Sequence, residues 1–203
     1  MFFLKSLRTY FRVRKKYSII KIKKKKYEKF GDMIFTHFGI SGPAVLKISS
    51  YLNKALADGE VEVILDFLKD RSKEELAQII RSNSNRFVLN NLKGILPQNF
   101  LKQIFEMLNL VEVKASDLKK EDEIKIIEYI KEMKLTARET LTIKAAQVTS
   151  GGVKVKEINA STMESKLINN LYFAGEVIDI DAETGGYNLQ MAFSTGYLAG
   201  SDF

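Results

Sequence analysis

The residues best suited to chemistry lie near the C-terminus. A short apolar run, Leu171-Tyr-Phe-Ala-Gly-Glu176, ends in Gly175 and Glu176. After a loop come Thr184-Gly-Gly-Tyr-Asn-Leu-Gln190 and then Met191-Ala-Phe-Ser-Thr-Gly-Tyr-Leu-Ala-Gly200. Glycine allows backbone N–H groups to come close to a ligand, and a helix N-terminus offers unpaired donors with partial positive charge. Thr184, Gly185, Gly186, Tyr187, Asn188 and Leu189 therefore form a candidate cradle at the start of an amphipathic helix. Gly175 and Glu176 end a strand expected to be parallel, where ligands of open α/β sheets sit. A surface glutamate and a glycine-rich turn capping a core helix are the plainer readings of the same residues.

Other candidates carry less information. Thr149-Ser-Gly-Gly-Val153 joins two expected strands, and a hairpin turn explains Gly151 and Gly152 as well as a ligand would. His37 is the only histidine. Its unperturbed pKa lies near neutrality, which suits a proton donor, and a hydrogen-bonded structural role is its alternative. Ser41 is no hydrolase nucleophile, since no G-x-S-x-G elbow surrounds it, and it is expected to cap a helix. With one histidine and no cysteine, no metal site is expected, and disulfides are excluded.

A chain of 203 residues with 45% hydrophobic and 28% charged content can bury a core as an ordinary globular protein. No apolar run approaches the roughly 18–20 residues needed to span a bilayer, and the N-terminus lacks the pattern of a secretory signal. A cytoplasmic location is expected. The net charge of +7 is unevenly distributed: residues 1–29 hold 12 Lys and Arg against one acid, and the remainder holds 20 against 24. Such a block could bind nucleic acid or an anionic membrane. The sequence shows no interleaved aromatic platform, so Lys23 to Lys26 read as a solvated turn and neither partner is expected.

The elements that must position these residues change period along the chain. Residues 17–22 and 30–36 read as strands, Val45 to Ala57 as a helix, and Glu60–Asp66 as an alternating strand. From Ser72 to Met133 the spacing is helical. It opens on the capping box Ser72-Lys-Glu-Glu75, breaks at Gly94 and resumes after Pro97. Leu135–Ile143, Ala146–Thr149, Val153–Val155 and Leu171–Phe173 read as further strands, before a terminal helix from about Tyr187. The expected class is α+β. A β-barrel-like module (17–71 and 134–148) holds an inserted helical bundle (72–133), and residues 1–16 form an unassigned basic N-terminus. A strand–loop–helix piece of an α/β domain follows at 149–203.

Four phrases in order resemble the BaiN-like (YhiN-like) NAD(P)/FAD-dependent oxidoreductases. They are Phe35-Thr-His-Phe-Gly-Ile-Ser-Gly-Pro-Ala44, Ala146-Gln-Val-Thr-Ser-Gly-Gly-Val153, Thr162-Met-Glu-Ser165, and Leu171 through Gly200. In that family a two-part FAD-binding domain is interrupted by a β-barrel and a helical subdomain. The resemblance implies that Glu176 accepts hydrogen bonds from the ribityl hydroxyls of FAD. It implies that Thr184 to Asn188 place a helix N-terminus against the flavin N1–C2=O edge, where oriented N–H groups would stabilise the negative charge of reduction. Thr149, Gly151 and Gly152 would border the substrate pocket.

The family's G-x-G-x-x-G fingerprint for the pyrophosphate does not occur in this sequence. The expected role is the C-terminal portion of a flavin-dependent oxidoreductase. Its electrons would pass from NAD(P)H through FAD to a small-molecule acceptor, for which an activated C=C bond is the family-level expectation. The missing N-terminal FAD-binding half would be a partner. The alternatives are a remnant that holds no FAD, or a nucleic-acid- or membrane-binding protein acting through its basic N-terminus.

Overall fold

The computed structural model describes residues 2–3, 15–22, 27–36, 39–141, 144 and 146–201. It divides into two compact units, Met1–Thr140 and Leu141–Phe203. The class is α+β, as the change of hydrophobic period requires.

The first unit is built on an antiparallel sheet of β1 (Phe2–Phe3), β2 (Lys15–Ile22), β3 (Tyr27–Thr36), β4 (Gly39–Ser41), β5 (Val61–Asp66) and β6 (Met133–Ala137). Their order across the sheet is β1-β4-β3-β2-β5-β6. β2 and β3 form a hairpin whose register runs from Ser18↔Gly31 to Ile22↔Tyr27, with an irregularity between Lys15 and Ser18. Val61, Val63 and Leu65 of β5 point into the core, as do Met133, Leu135 and Ala137 of β6. That alternation is why these short segments are strands.

Helix α1 (Pro43–Leu56) buries Ala44, Val45, Ile48, Leu52 and Ala55 on one face, which packs against the sheet. Ser41 is not its cap. Gly42 takes the N-cap position with Pro43 in the first turn, because Ser41 is the last residue of β4, paired with Ile34. Ser41 therefore stands one position before the N-cap, and α1 has no side-chain cap hydrogen bond.

Four helices separate β5 from β6: α2 (Lys73–Ile80), α3 (Val88–Asn91), α4 (Gln98–Met107) and α5 (Lys120–Lys131). They are an insertion, since β5 and β6 pair directly from Val61↔Ala137 to Leu65↔Met133. The capping box forms as expected: Ser72 Oγ accepts from Glu75 N at 3.0 Å and Glu75 Oε2 accepts from Ser72 N at 2.7 Å. Phe100 of α4 meets Phe67 at 4.6 Å between ring centroids and Phe35 of β3 at 6.3 Å, so sheet and insertion share one core.

Two buried charges also hold the insertion. Lys131 Nζ donates to the carbonyls of Leu68 (2.6 Å) and Arg71 (2.7 Å) and pairs with Asp66 Oδ2 at 2.8 Å. Glu123, 1% exposed, accepts from Arg81 and Lys120, and Arg81 reaches on to the carbonyls of Ala115 and Leu118. Such ions are tolerated inside because every charge has a partner.

The second unit has a small core of Ile158, Met163 and Ile178, with Val153, Phe173, Ile180, Leu198 and Ala199 packed on it. The strands expected at 146–149, 153–155 and 171–173 do not form. Val153 makes a single parallel bridge to Ile178 and Tyr172 a single antiparallel bridge to Glu164. The chain then turns into a 3-10 segment at Val155–Glu157, so no ladder can extend from Val153. A second 3-10 turn, Gly175–Val177, and helix α6 (Tyr187–Gly200) complete the unit. β6 is also shorter than the expected strand 135–143. Its register starts two residues earlier and stops at Ala137, and Thr142 and Ile143 lie outside the described residues. No helix among the described residues is long and apolar enough to cross a membrane.

Candidate functional site

The candidate residues of the second unit converge on α6. Its N-cap, Gly186, adopts a left-handed conformation (φ 93°), and Gly185 before it has φ 148°. An L-side chain resists both, so this start is built for glycine. The first-turn N–H groups of Tyr187, Asn188 and Leu189 have no carbonyl four residues back within the helix and point outward from its N-terminus. Tyr187 and Leu189 are each 65% exposed, so this end is open to a ligand. Asn188 fixes the preceding loop: its Oδ1 accepts from Ala182 N at 3.0 Å and its Nδ2 donates to Ala182 O at 2.9 Å.

The same helix holds the other phrase. Gly175 N donates to Thr195 Oγ1 at 2.9 Å, and that hydroxyl donates onward to Met191 O at 2.8 Å. Thr195 is the buried residue of α6. Thr195 is a residue of this cluster that the sequence reading does not single out. The available signal was a threonine inside a helix, whose hydroxyl can bond the i−4 carbonyl and keep a lone pair for a donor outside.

Glu176 sits in the 3-10 turn so pinned, and its Oε1 accepts from both Thr149 N (2.7 Å) and Thr149 Oγ1 (2.9 Å). The Thr149 N–H, reinforced by the hydroxyl, holds this exposed carboxyl below its ordinary range, so it is ionised at neutral pH. The 149–153 segment lies against the turn: Val153 N donates to Val177 O at 2.8 Å and Asp179 N to Val153 O at 2.9 Å. Gly152 makes this approach possible, since a Cβ there would stand 2.3 Å from Val177 O. Gly151 faces open space. The structure thus joins Thr149, Gly152, Gly175 and Glu176 in one cluster on α6, and places Gly185 to Leu189 at that helix's N-terminus. Thr184 lies in the turn leading into it. His37 lies outside the described residues.

An antiparallel sheet interrupted by a helical insertion, followed by a glycine-rich turn-and-helix unit, defines a modular α+β protein. Residues 12–148 match the family described as HI0933-like protein barrel and H2TH domain, and the chain belongs to that family.

Three curated relatives extend the comparison. A 3-dehydro-bile acid delta(4,6)-reductase of Clostridium scindens is 34% identical over 179 residues, covering 85% of this chain and 44% of the relative. A ribosomal RNA dihydrouridine synthase of Haemophilus influenzae is 33% identical over 169 residues, with coverage of 83% and 41%. A protein of the same name from Escherichia coli is 33% identical over 172 residues, with coverage of 84% and 42%. The chain thus spans less than half the length of these relatives.

Proposed function

We propose that this chain supplies the insert and the C-terminal flavin-binding segment of an NAD(P)H-dependent oxidoreductase that saturates a C=C bond activated by a carbonyl group. The observation that carries the reading is that one helix, α6, fixes both candidate phrases: Gly175–Glu176 through Thr195, and Gly185–Gly186 through its own N-cap and Asn188. Thr195 lies about 13 Å along the axis from Gly186, which separates a carboxylate from a cluster of N–H donors on one rigid support.

These residues fit FAD. Glu176 is ionised and bonded through one oxygen, Oε1, which suits a carboxylate that accepts from ribityl hydroxyls. The N-terminus of α6 offers donors to an edge that gains negative charge on reduction. Bound flavin supplies hydride transfer between NAD(P)H and the acceptor. Thr149 and Gly152 shape the adjoining wall by holding 149–153 against the Gly175–Val177 turn. His37 is the candidate donor of the proton that a C=C reduction also consumes. The adenine and pyrophosphate contacts fall to the portion of the family architecture that this chain does not span.

The relatives' names support the acceptor class. A 3-dehydro-bile acid delta(4,6)-reductase and a dihydrouridine synthase both saturate carbon–carbon bonds conjugated with a carbonyl. The test is the visible spectrum of the purified chain after FAD addition and desalting, followed by NADH and NADPH oxidation with an enone or a uridine-containing RNA. Retained flavin bands that Glu176→Ala abolishes are expected. A folded but colourless protein overturns the reading that this chain holds flavin by itself.

A further inference from the structure

The chain is held in a particular way where it enters the second unit. The first unit ends at Thr140, whose hydroxyl donates to Asn53 Oδ1 at 3.4 Å, and the second begins at Leu141. Residues 146–151 are exposed. Backbone pairing takes over at Val153, which bonds Val177 and Asp179. Ahead of it stands Thr149, whose N–H and hydroxyl both donate to Glu176 Oε1, at 2.7 and 2.9 Å. Glu176 Oε2 accepts from no described residue. No cation stabilises this carboxylate: the Thr149 N–H, then its hydroxyl, hold the pKa down against desolvation. The terminal torsion of a glutamate is broad and two-fold. Fixing Oε1 on Thr149 therefore fixes where Oε2 points, and fixing Oε2 would in turn hold Oε1 for Thr149.

We propose that Thr149 is a positioning residue and that its contact with Glu176 is a latch, closed by a flavin hydroxyl that donates to Oε2, which orders the run entering the unit at 146–149. The coupling is reciprocal: a ligand that meets a carboxylate already fixed by Thr149 loses less freedom on binding, and its presence steadies Thr149 by the same factor. Both groups of Thr149 are spent on Glu176, so this residue acts through the carboxylate and does not itself touch the acceptor. A plain hairpin turn at 149–153 would leave the run indifferent to what Glu176 binds. The inference deepens the reading above by naming a regulation of the same site. It rests on that reading for its ligand, while the latch itself is measured without one.

The experiment is amide hydrogen exchange at Thr149, read beside tryptic cleavage after the exposed Lys144, on the full chain with and without FAD. Without FAD, Glu176→Ala should speed exchange at Thr149 about tenfold and hasten cleavage, because the N–H loses a charged acceptor. Thr149→Val removes the hydroxyl bond and keeps the N–H bond. It should weaken FAD retention about threefold, and Thr149→Ser should restore it. Saturating FAD should slow both exchange and cleavage in the parent chain. Unchanged exchange and cleavage in flavin-free Glu176→Ala overturn the latch. Retained flavin bands with no slowing of either, or equal FAD retention in Thr149→Val and the parent, overturn the coupling. A colourless parent chain in which Glu176→Ala still speeds exchange upholds the latch and removes flavin as its ligand, which separates the two failures.

Discussion

The backbone N–H of Gly175 donates to the hydroxyl of Thr195, 2.9 Å away, and the hydroxyl passes its own proton to the carbonyl of Met191. One side chain thereby ties the turn that carries Glu176 to the helix that Gly185 and Gly186 open. Replacing it by an isosteric apolar residue leaves the half-buried Gly175 N–H without its acceptor, a loss of about 1 kcal/mol, the lower end of the cost for a buried donor.

Thr195→Val is therefore expected to destabilise the turn and weaken flavin retention, while Thr195→Ser restores both. Thermal unfolding and the flavin absorbance after desalting measure the two effects. Equal behaviour of the valine and serine variants would show that the hydroxyl does not position the turn.

Glu176 gives a pH dependence of known sign. Its carboxyl is held below the ordinary range, first by the Thr149 N–H and then by the Thr149 hydroxyl. A depressed folded pKa means that the contact with Thr149 contributes stability above the unfolded glutamate value of about 4.3, which is lost as pH falls through the folded value. Thr149→Val removes the hydroxyl bond and keeps the N–H, so the Glu176 carboxyl should titrate higher than in the parent chain. Carboxyl-carbon NMR shifts followed against pH check this, and an unchanged titration curve refutes the pairing.

The contrast between the two units shows what sequence pattern can and cannot specify. β5 and the α2 capping box follow from period and local chemistry: Val61, Val63 and Leu65 alternate into the core, and Ser72 and Glu75 bond each other whatever lies beyond. The 149–180 region defeats that logic. Its apolar runs are as strand-like as β5, yet Val153 and Tyr172 each find a single bridging partner, and nearby backbone groups bond across tight turns, as Ile158 N does to Val155 O and Ile178 N to Gly175 O. A strand is defined by its neighbour, and period alone does not say whether one is present. The candidate site was readable as Gly175–Glu176 and Gly185–Asn188 because glycine spacing is local. Thr195 was not, since it acts through a contact distant in sequence.

Gly152 and Gly151 are neighbours with unequal demands. Both have positive φ (140° and 106°), but a Cβ on Gly152 would sit 2.3 Å from Val177 O, whereas one on Gly151 meets open space. Gly151→Ala should cost only the backbone strain, about 1–3 kcal/mol. Gly152→Ala adds a backbone collision and should detach 149–153 from the turn, exposing the Val153 and Asp179 amides. Hydrogen exchange at those two amides distinguishes the variants; equal protection in both would mean that the close approach is not maintained in solution.

Lys131 satisfies two carbonyls and one carboxylate while only 9% exposed. Lys131→Met keeps the length of the side chain but leaves Asp66 without its cation and the Leu68 and Arg71 carbonyls without their donor. Breaking one side of a buried pair costs about 3–5 kcal/mol. Denaturant unfolding should show a loss of that size. The loss should be smaller in a double variant with Asp66→Asn, which removes the stranded charge. Additive losses would show that the two residues do not interact.

Glu123 should set the acid limit of the helical insertion. Burial works to raise its pKa, but hydrogen bonds from Lys120 and Arg81, together with their charges, outweigh burial and hold the carboxyl below its ordinary range. The stabilisation is thus present above the unfolded value of about 4.3 and lost as pH falls through the lower folded value. Glu123→Gln removes the ionisation while keeping an acceptor of similar shape. Its melting temperature should lie below that of the parent chain at neutral pH, and the two curves should converge as the buffer is taken to acid. Parallel curves across the whole range would mean that the Arg81–Glu123–Lys120 cluster contributes no pH-dependent stability.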